Sequence, residues 1–284
     1  MKTRARSVMS FLEKSVTNSK RLKAKFLYFG RWRRVKFFHI TFFLAIALLT
    51  IPRFGAGATT GRFWSYFNAV SLFNQNWSLL IMPGIRYEFA RSDALVRPKK
   101  EFYFYELFTG PTYTKTWNRF TMQLPIWYYY MGFPSPDAYA YSHNIEFLPI
   151  LIYRWERFSL TSRTIFHNTI YASIYETSAQ KKGYSLVIRQ LLQLGYTINQ
   201  RFSMLLAEEP FFGVIEDDGA PPSPIGFWSK GLKLNRFYAG FQYKITPAIV
   251  ISPHYVLETA YDTGKLTDTN HCLFVTLSYT HKFF

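Results

Sequence analysis

A single cysteine, Cys272, occurs in the 284 residues. No intramolecular disulfide and no cysteine-built zinc site can therefore form, and the thiol reads as a small residue filling a strand position. The chain also lacks a phosphate-binding Gly-rich loop, a dinucleotide fingerprint, a paired CxxC and an HExxH helix. No cofactor, metal site or catalytic set is expected on these grounds. After Thr59 there is no long stretch of helical periodicity either, which turns attention to β structure.

Acidic residues are scarce: 17 Asp and Glu against 34 Lys and Arg, a net charge of +17. Its distribution matters more than its size. Residues 1–58 hold 13 Lys and Arg with Glu13 as the one acid, a balance of +12. Residues 59–284 hold 21 Lys and Arg and 16 acids, a balance of only +5. No basic stripe of the kind a nucleic-acid surface needs remains in the larger part, so no nucleic-acid partner is expected.

Aromatic residues are abundant instead. Tyr, Phe and Trp make up 20% of the chain, yet the mean hydropathy is −0.06. A transmembrane barrel reconciles the two figures, because its aromatics face lipid and the interfaces while its lumen stays polar.

Residues 37–51 form an apolar run behind Arg31, Arg33, Arg34 and Lys36. Pro52 follows, then the small-x-small segment Ala56-Gly57-Ala58 ahead of Thr59. That order is the pattern of a helical secretory signal, and the run is shorter than the ~20 residues of a spanning helix. The reading divides the chain into a basic leader with signal peptide over 1–58, removed on export, and a barrel over 59–284. An uncleaved anchor is the alternative. The leader is long for a signal, which points to a true start near Leu27 or Val35; a functional basic arm is the competing account.

Beyond Thr59, runs of about 10–15 residues alternate in polarity as barrel strands do. In the last run Leu273, Val275, Leu277, Tyr279 and Phe283 share one face, opposite Phe274, Thr276, Ser278, Thr280 and Lys282. In the run before it Ile249, Ile251, Pro253, Tyr255 and Leu257 oppose Val250, Ser252, His254, Val256 and Glu258. Successive strand side chains point to opposite faces, so one set meets lipid and the other the lumen. Extended along the chain, this parity makes Arg86, Glu88, Glu146, Arg154, Arg163, Arg189, Arg236, Lys244, His254 and Glu258 the lumen-lining candidates.

Connections alternate in length. Short turns are expected at 74–76, 114–116, 156–157, 199–200 and 246–247, and longer loops at 91–100, 132–142, 176–182, 210–231 and 262–269. Outer-membrane barrels have short periplasmic turns and long external loops, which sends Phe284 to the periplasm. The fold class that results is all-β, an antiparallel transmembrane barrel of about 10–12 strands behind the helical signal. Ten strands run from Trp77 to Phe284 with consistent parity. Residues 63–73 look like an eleventh, which leaves two readings: the segment lies in the barrel or periplasm, or 210–231 hides another strand. Pro83, Pro125, Pro149 and Pro253 fall inside expected strands and are read as bulges or strand edges.

The C-terminal 50 residues carry a resemblance. A strand opens at Asn235-Arg236-Phe237-Tyr238-Ala239-Gly240-Phe241-Gln242-Tyr243, a short turn follows at Thr246-Pro247, and Asn270-His271 enters the final strand. This spacing resembles a family of bacterial proteins of unknown function held to be outer-membrane barrels, over residues 62–284 and most specifically 234–284. The resemblance implies fold and outer-membrane location and supplies no catalytic residues. The ending, with Tyr279, Phe283 and Phe284, resembles the aromatic signal read by the outer-membrane assembly machinery, although the alternation ends on Phe283 and His281 interrupts it.

Partners implied are outer-membrane lipids and lipopolysaccharide, the assembly machinery and periplasmic chaperones. A narrow channel or small-solute transporter is the first functional reading, and a non-conducting envelope barrel the second. A lipid hydrolase is the third; its only Ser–His candidates are Ser142-His143, expected in an external loop, and Ser252 with His254. Glu216-Asp217-Asp218 reads as a solvated acidic loop tip without the spaced ligands of a calcium loop.

Overall fold

The computed structural model describes residues 58–92, 101–134, 140–174, 184–216 and 230–284. The signal segment over 37–51 and most of the Glu216-Asp217-Asp218 tip lie outside them, while the expected boundary between Ala58 and Thr59 falls at the first residues of β1. Twelve strands follow in order: β1 Ala58–Leu72, β2 Trp77–Arg91, β3 Glu101–Trp117, β4 Phe120–Phe133, β5 Ala140–Phe147 and β6 Ile150–Trp155. The rest are β7 Phe158–Ile174, β8 Ser185–Thr197, β9 Phe202–Ile215, β10 Gly231–Lys244, β11 Ile249–Asp262 and β12 Lys265–Lys282.

Apart from β5 and β6, each strand pairs with its chain neighbours until the ring closes between β1 and β12. β5 and β6 share one place in that ring. Both pair with β4 and with β7 in a single register, interrupted at Leu148–Pro149, so the closed barrel has eleven staves. Leu148 N still donates to Pro125 O (3.0 Å) and Thr164 N to Pro149 O (3.1 Å), carrying the ladder across the gap. A lipid interior offers no water to unpaired backbone groups, and closure removes the edges that would expose them.

An odd ring has a necessary consequence. Direction alternates from stave to stave, so the first and last of eleven run the same way. β1 accordingly pairs with β12 in parallel, from Ala58 opposite Asp268 to Leu72 opposite Lys282. Residues 63–73 are thus a full barrel strand. β9 runs on to Ile215 and pairs directly with β10 from Gly213 opposite Gly231.

Three expected connections are corrected. Thr114–Thr116 lie within β3, and the turn is Asn118–Arg119, with Asn118 at φ 52°. The polar cluster that imitated a turn is strand end, where Thr116 and Thr121 hydroxyls meet at 3.1 Å. The loop expected over 262–269 is a two-residue turn, Thr263-Gly264, both at positive φ (47° and 78°) as a type I′ hairpin requires. Polar residues from Lys265 onward belong to β12, since the lumen accepts them. The loop expected over 132–142 is also shorter, with strand to Phe133 and again from Ala140.

Pro149 is a strand edge, lying between the end of β5 at Phe147 and the start of β6 at Ile150, whereas the other three prolines sit within paired strands. Pro83 faces Leu107, Pro125 faces Thr112 and Pro253 faces Val275 in unbroken registers. Toward the other neighbour the pairing skips: Tyr66–Gly84 resumes at Ala69–Ile81, and Gly240–His254 resumes at Tyr243–Ile251. A strand residue turns its N–H toward one neighbour only, so a proline forfeits a single rung. The register shifts lie elsewhere, at sites such as Gly61/Arg62, Arg86/Tyr87 and His143/Asn144 near the long-loop end.

Burial follows the alternation. On β11, Ser252, His254, Val256 and Glu258 are buried while Tyr255 is exposed. Outward side chains such as Ile81, Ile126, Leu192 and Leu273, each about half exposed, form an apolar belt. Aromatic rings flank it. At the short-turn end Phe120, Tyr153, Trp155, Phe158 and Tyr196 follow one another with centroids 4.8–5.6 Å apart. Toward the long-loop end Tyr105, Tyr130, Tyr141 and Tyr171 do the same at 5.9–6.2 Å. An apolar band between two aromatic girdles is the exterior of a membrane barrel.

Candidate functional site in the barrel lumen

The lumen is crossed by a layer of arginines and glutamates supplied by nearly every stave. Its first group gathers around Glu258. Arg236, directly opposite on β10, donates from Nε at 2.7 Å, Arg62 of β1 reaches across at 3.2 Å, and Asn270 of β12 donates at 2.9 Å. Arg62 also donates to Glu88 at 3.1 Å, and Thr60 donates to Asn270.

Glu106 centres a second group. Its carboxylate takes Arg86 Nε at 2.9 Å, Tyr129 Oη at 2.6 Å and the Tyr66 hydroxyl. Gly84 makes room for this: a Cβ there would stand 2.5 Å from the Tyr66 ring and 3.0 Å from Glu106 Cγ.

Glu209 and Glu146 centre the third. Glu209, fully buried, accepts from Arg163 (2.8 Å), Arg189 (3.0 Å) and Tyr238 (2.7 Å). Glu146 lies 2.8 Å from His167 Nδ1 and 3.7 Å from Arg189. A buried charge is tolerated only when paired and hydrogen-bonded, and Glu258, Glu106 and Glu209 each have three donors.

Aromatic rings join the groups. Trp64, 2% exposed, is clasped between the guanidinium of Arg86 at 4.4 Å and that of Arg236 at 4.9 Å. Its indole N–H donates to Tyr103 at 3.1 Å. Phe104 takes the other side of Arg86, and Phe211 lies beneath both Arg189 and Arg236. Planar guanidinium groups combine stacking with in-plane hydrogen bonds, so one arginine serves a ring and a carboxylate together.

A chamber lies on either side of this layer. The outer one, toward the long loops, measures about 520 Å³ and includes Arg62, Glu88, Arg91, Phe133 and Leu234 in its wall. The inner one, toward the short turns, measures about 420 Å³ and is walled by Leu80, Phe108, Ile165, Leu205 and others. Arg86, Tyr129, Arg189 and Arg236 belong to both walls.

The residues singled out by alternation distribute as follows. Arg86, Glu88, Arg189, Arg236 and Glu258 line the outer chamber; Glu146, Arg163 and His254 join Arg86, Arg189 and Arg236 around the inner one. Arg154 sits at the short-turn end, donating to Thr121 at 2.8 Å, and Lys244 is exposed at the end of β10; neither lines a chamber. Arg62, Trp64, Tyr66, Glu106, Tyr129, Glu209 and Tyr238 were not among them. Parity along 101–117 puts Glu106 beside Phe104 and Phe108, and at Glu208-Glu209 it sends one acid out and one in. Both signals are present in the sequence.

The Ser–His candidates separate. Ser142 and His143 lie in β5, not in a loop, with Ser142 fully buried and His143 outside against Tyr128 Oη at 2.5 Å. Neighbouring residues on one strand face opposite ways, so that pair cannot act together. Ser252 and His254 are both buried on the lumen side, and His254 hydrogen-bonds the Ser252 backbone. Among the described residues no three His, Cys, Asp or Glu groups gather as for a metal ion. At the C-terminus Tyr279 faces outward, Phe283 stacks on Phe73 at 5.6 Å, and Phe284 is exposed.

A closed ring of strands with an apolar girdled exterior and a charged, tyrosine-laced interior defines a β-barrel of the outer-membrane type. The chain belongs to the family described as "Protein of unknown function (DUF2490)", whose model matches residues 61–270. No curated protein matches it. Among solved structures it is similar to "Outer-membrane expressed OmpT of Vibrio cholerae" at 7% identity, covering 70% of this chain and 82% of that one with a TM-score of 0.29. A likeness of that size carries no argument about this chain.

Proposed function

We propose that the chain works in the outer membrane as a narrow barrel that passes small solutes between its two chambers, with the arginine–glutamate layer as the constriction. The observation that carries this reading is that Arg86, Tyr129, Arg189 and Arg236 wall both chambers. Any solute travelling the lumen meets these four side chains, and charged rings of this kind set selectivity in narrow pores. Eleven staves enclose far less space than the 16–18 strands of an open porin, in keeping with small solutes only.

The apolar belt suits lipid and lipopolysaccharide as neighbours. Tyr279, Phe283 and Phe284 supply the aromatic ending for the assembly machinery, with periplasmic chaperones delivering the chain and residues 1–58 removed as its export signal.

Planar-bilayer recordings test the passage. The wild-type barrel is expected to show small unitary currents, and Trp64→Ala, which withdraws the ring between Arg86 and Arg236, to enlarge them. If both proteins fold and both stay silent, the barrel is a non-conducting envelope element. Fractionation with and without boiling tests location and closure: the chain is expected in outer membranes with a heat-dependent gel shift.

A further inference from the structure

We propose that the lumenal layer is a recognition site for small organic anions, namely carboxylates with a compact apolar body. The proposal deepens the passage reading by naming its solute class, while binding itself does not depend on passage.

Charge is the first support. Among the described residues the outer chamber is lined by five arginines, Arg62, Arg86, Arg91, Arg189 and Arg236, against Glu88 and Glu258. The inner chamber is lined by Arg86, Arg163, Arg189 and Arg236 against Glu106 and Glu146. Glu209, the carboxylate that holds Arg163 and Arg189, lines neither chamber. Guanidinium groups therefore present themselves to the space, and one of their counter-charges is turned into the wall. Either chamber favours an anion over a cation of equal size.

Hydrogen-bonding capacity is the second. A guanidinium carries five N–H donors and no acceptor. Among the described residues the buried Nε–H donors of Arg163 and Arg189 have no partner. Both residues line the inner chamber. Buried polar groups are normally satisfied, and a cluster of unsatisfied ones around one space marks where a ligand or water completes the set. A carboxylate brings a planar pair of acceptors that matches the guanidinium fork.

The walls supply the third. Leu80, Phe108, Leu191 and Leu205 give the inner chamber an apolar side facing its arginines. Its volume of about 420 Å³ falls within the ~300–1,000 Å³ of small-molecule pockets. A bare inorganic anion would leave that side unused; a single-ring or short-chain carboxylate fills both.

Calorimetric titration of the folded barrel in detergent tests the site, with benzoate as probe and benzylamine as its cationic counterpart. Saturable benzoate binding with none for benzylamine is expected. Arg189→Gln should weaken benzoate about tenfold, the loss of roughly one charge-assisted contact, while Arg189→Lys retains part of the affinity. Unboiled gel migration confirms that each variant is folded, and Arg163→Gln serves the same purpose if Arg189→Gln does not fold. Equal binding of benzylamine, no benzoate binding, or benzoate binding indifferent to folded arginine variants would overturn the proposal. Reversal potentials in a KCl gradient separate it from the passage reading. Cation preference sinks the anion site and leaves passage intact, whereas silent bilayers with arginine-dependent benzoate binding remove passage and leave the site standing.

Discussion

Arg236 and Glu258 stand directly opposite each other on β10 and β11, and their side chains meet inside the lumen at 2.7 Å. The same carboxylate holds Arg62 at 3.2 Å and the Asn270 amide at 2.9 Å. One acid thus ties four staves together, including the two on either side of the closing seam.

Removing that acid strands two guanidiniums. Glu258→Ala is expected to cost about 3–5 kcal/mol, the range for breaking one partner of a buried pair. Glu258→Gln keeps the shape and part of the bonding, so it should cost less. The double variant Arg236→Met/Glu258→Leu removes both charges of the opposed pair and should recover part of the loss. Urea unfolding of the barrel in vesicles measures all three; a Glu258→Ala protein as stable as wild type would contradict the packing described.

The two faces of β12 give opposite results to the same insult. Leu277 faces outward in the apolar belt and Ser278 inward, where it accepts from Asn68 Nδ2 at 3.3 Å. Arginine on a lipid face costs about 2–4 kcal/mol at the bilayer midplane. Leu277→Arg should therefore impair assembly, scored by the heat-dependent gel shift, more than Ser278→Arg. The reverse order would place the strand one residue out of register.

Parallel closure puts Thr59 at the same end of the barrel as Lys265, and Lys282 at the end of Thr246. Cysteine substitutions at these four exposed or strand-end positions should label as two pairs with a membrane-impermeant maleimide on intact vesicles. The native Cys272 is 1% exposed, which keeps the background low. Thr59→Cys labelling together with Thr246→Cys would mean that β1 runs the other way and that the ring is not odd.

Gly84 is where a methyl group is most costly to the layer. Its absent Cβ leaves the place taken by the Tyr66 ring, with Glu106 just behind. Gly84→Ala must displace Tyr66 from Glu106. Overpacking of this sort costs about 1–3 kcal/mol, and displacement of Tyr66 should also raise unitary conductance if the layer is the constriction. A fully stable Gly84→Ala with unchanged tyrosine fluorescence would show that the ring has room to spare.

Much of this fold is legible in the residues, for a physical reason. The side-chain period of a strand is two, so an apolar outside and a polar inside write themselves as alternation. Val250, Ser252, His254, Val256 and Glu258 read as one face, and that face is turned inward. Legibility fails where polar residues have two explanations. Thr114-Lys115-Thr116 and the segment from Lys265 resemble connections because soluble strands seldom hold such clusters, whereas a lumen accepts them at every second place. Prolines mislead for a related reason: each forfeits one rung only, and the neighbouring stave holds the register.

What no local pattern carries is closure. Arg62 and Glu258 are 196 residues apart, and Thr60 and Asn270 are 210. Each pair meets because an odd ring brings β1 beside β12 in parallel. By itself the sequence determined the strand-by-strand assignment of inside and outside, since alternation against lipid is a property of each residue and its immediate neighbours. Only the tertiary structure decided which inward charges become partners, how Trp64 comes to lie against two arginines, and that a chamber opens on either side of the charged layer. Those outcomes depend on stagger, ring size and the direction of the closing strand, none of which is written in any single stretch of chain.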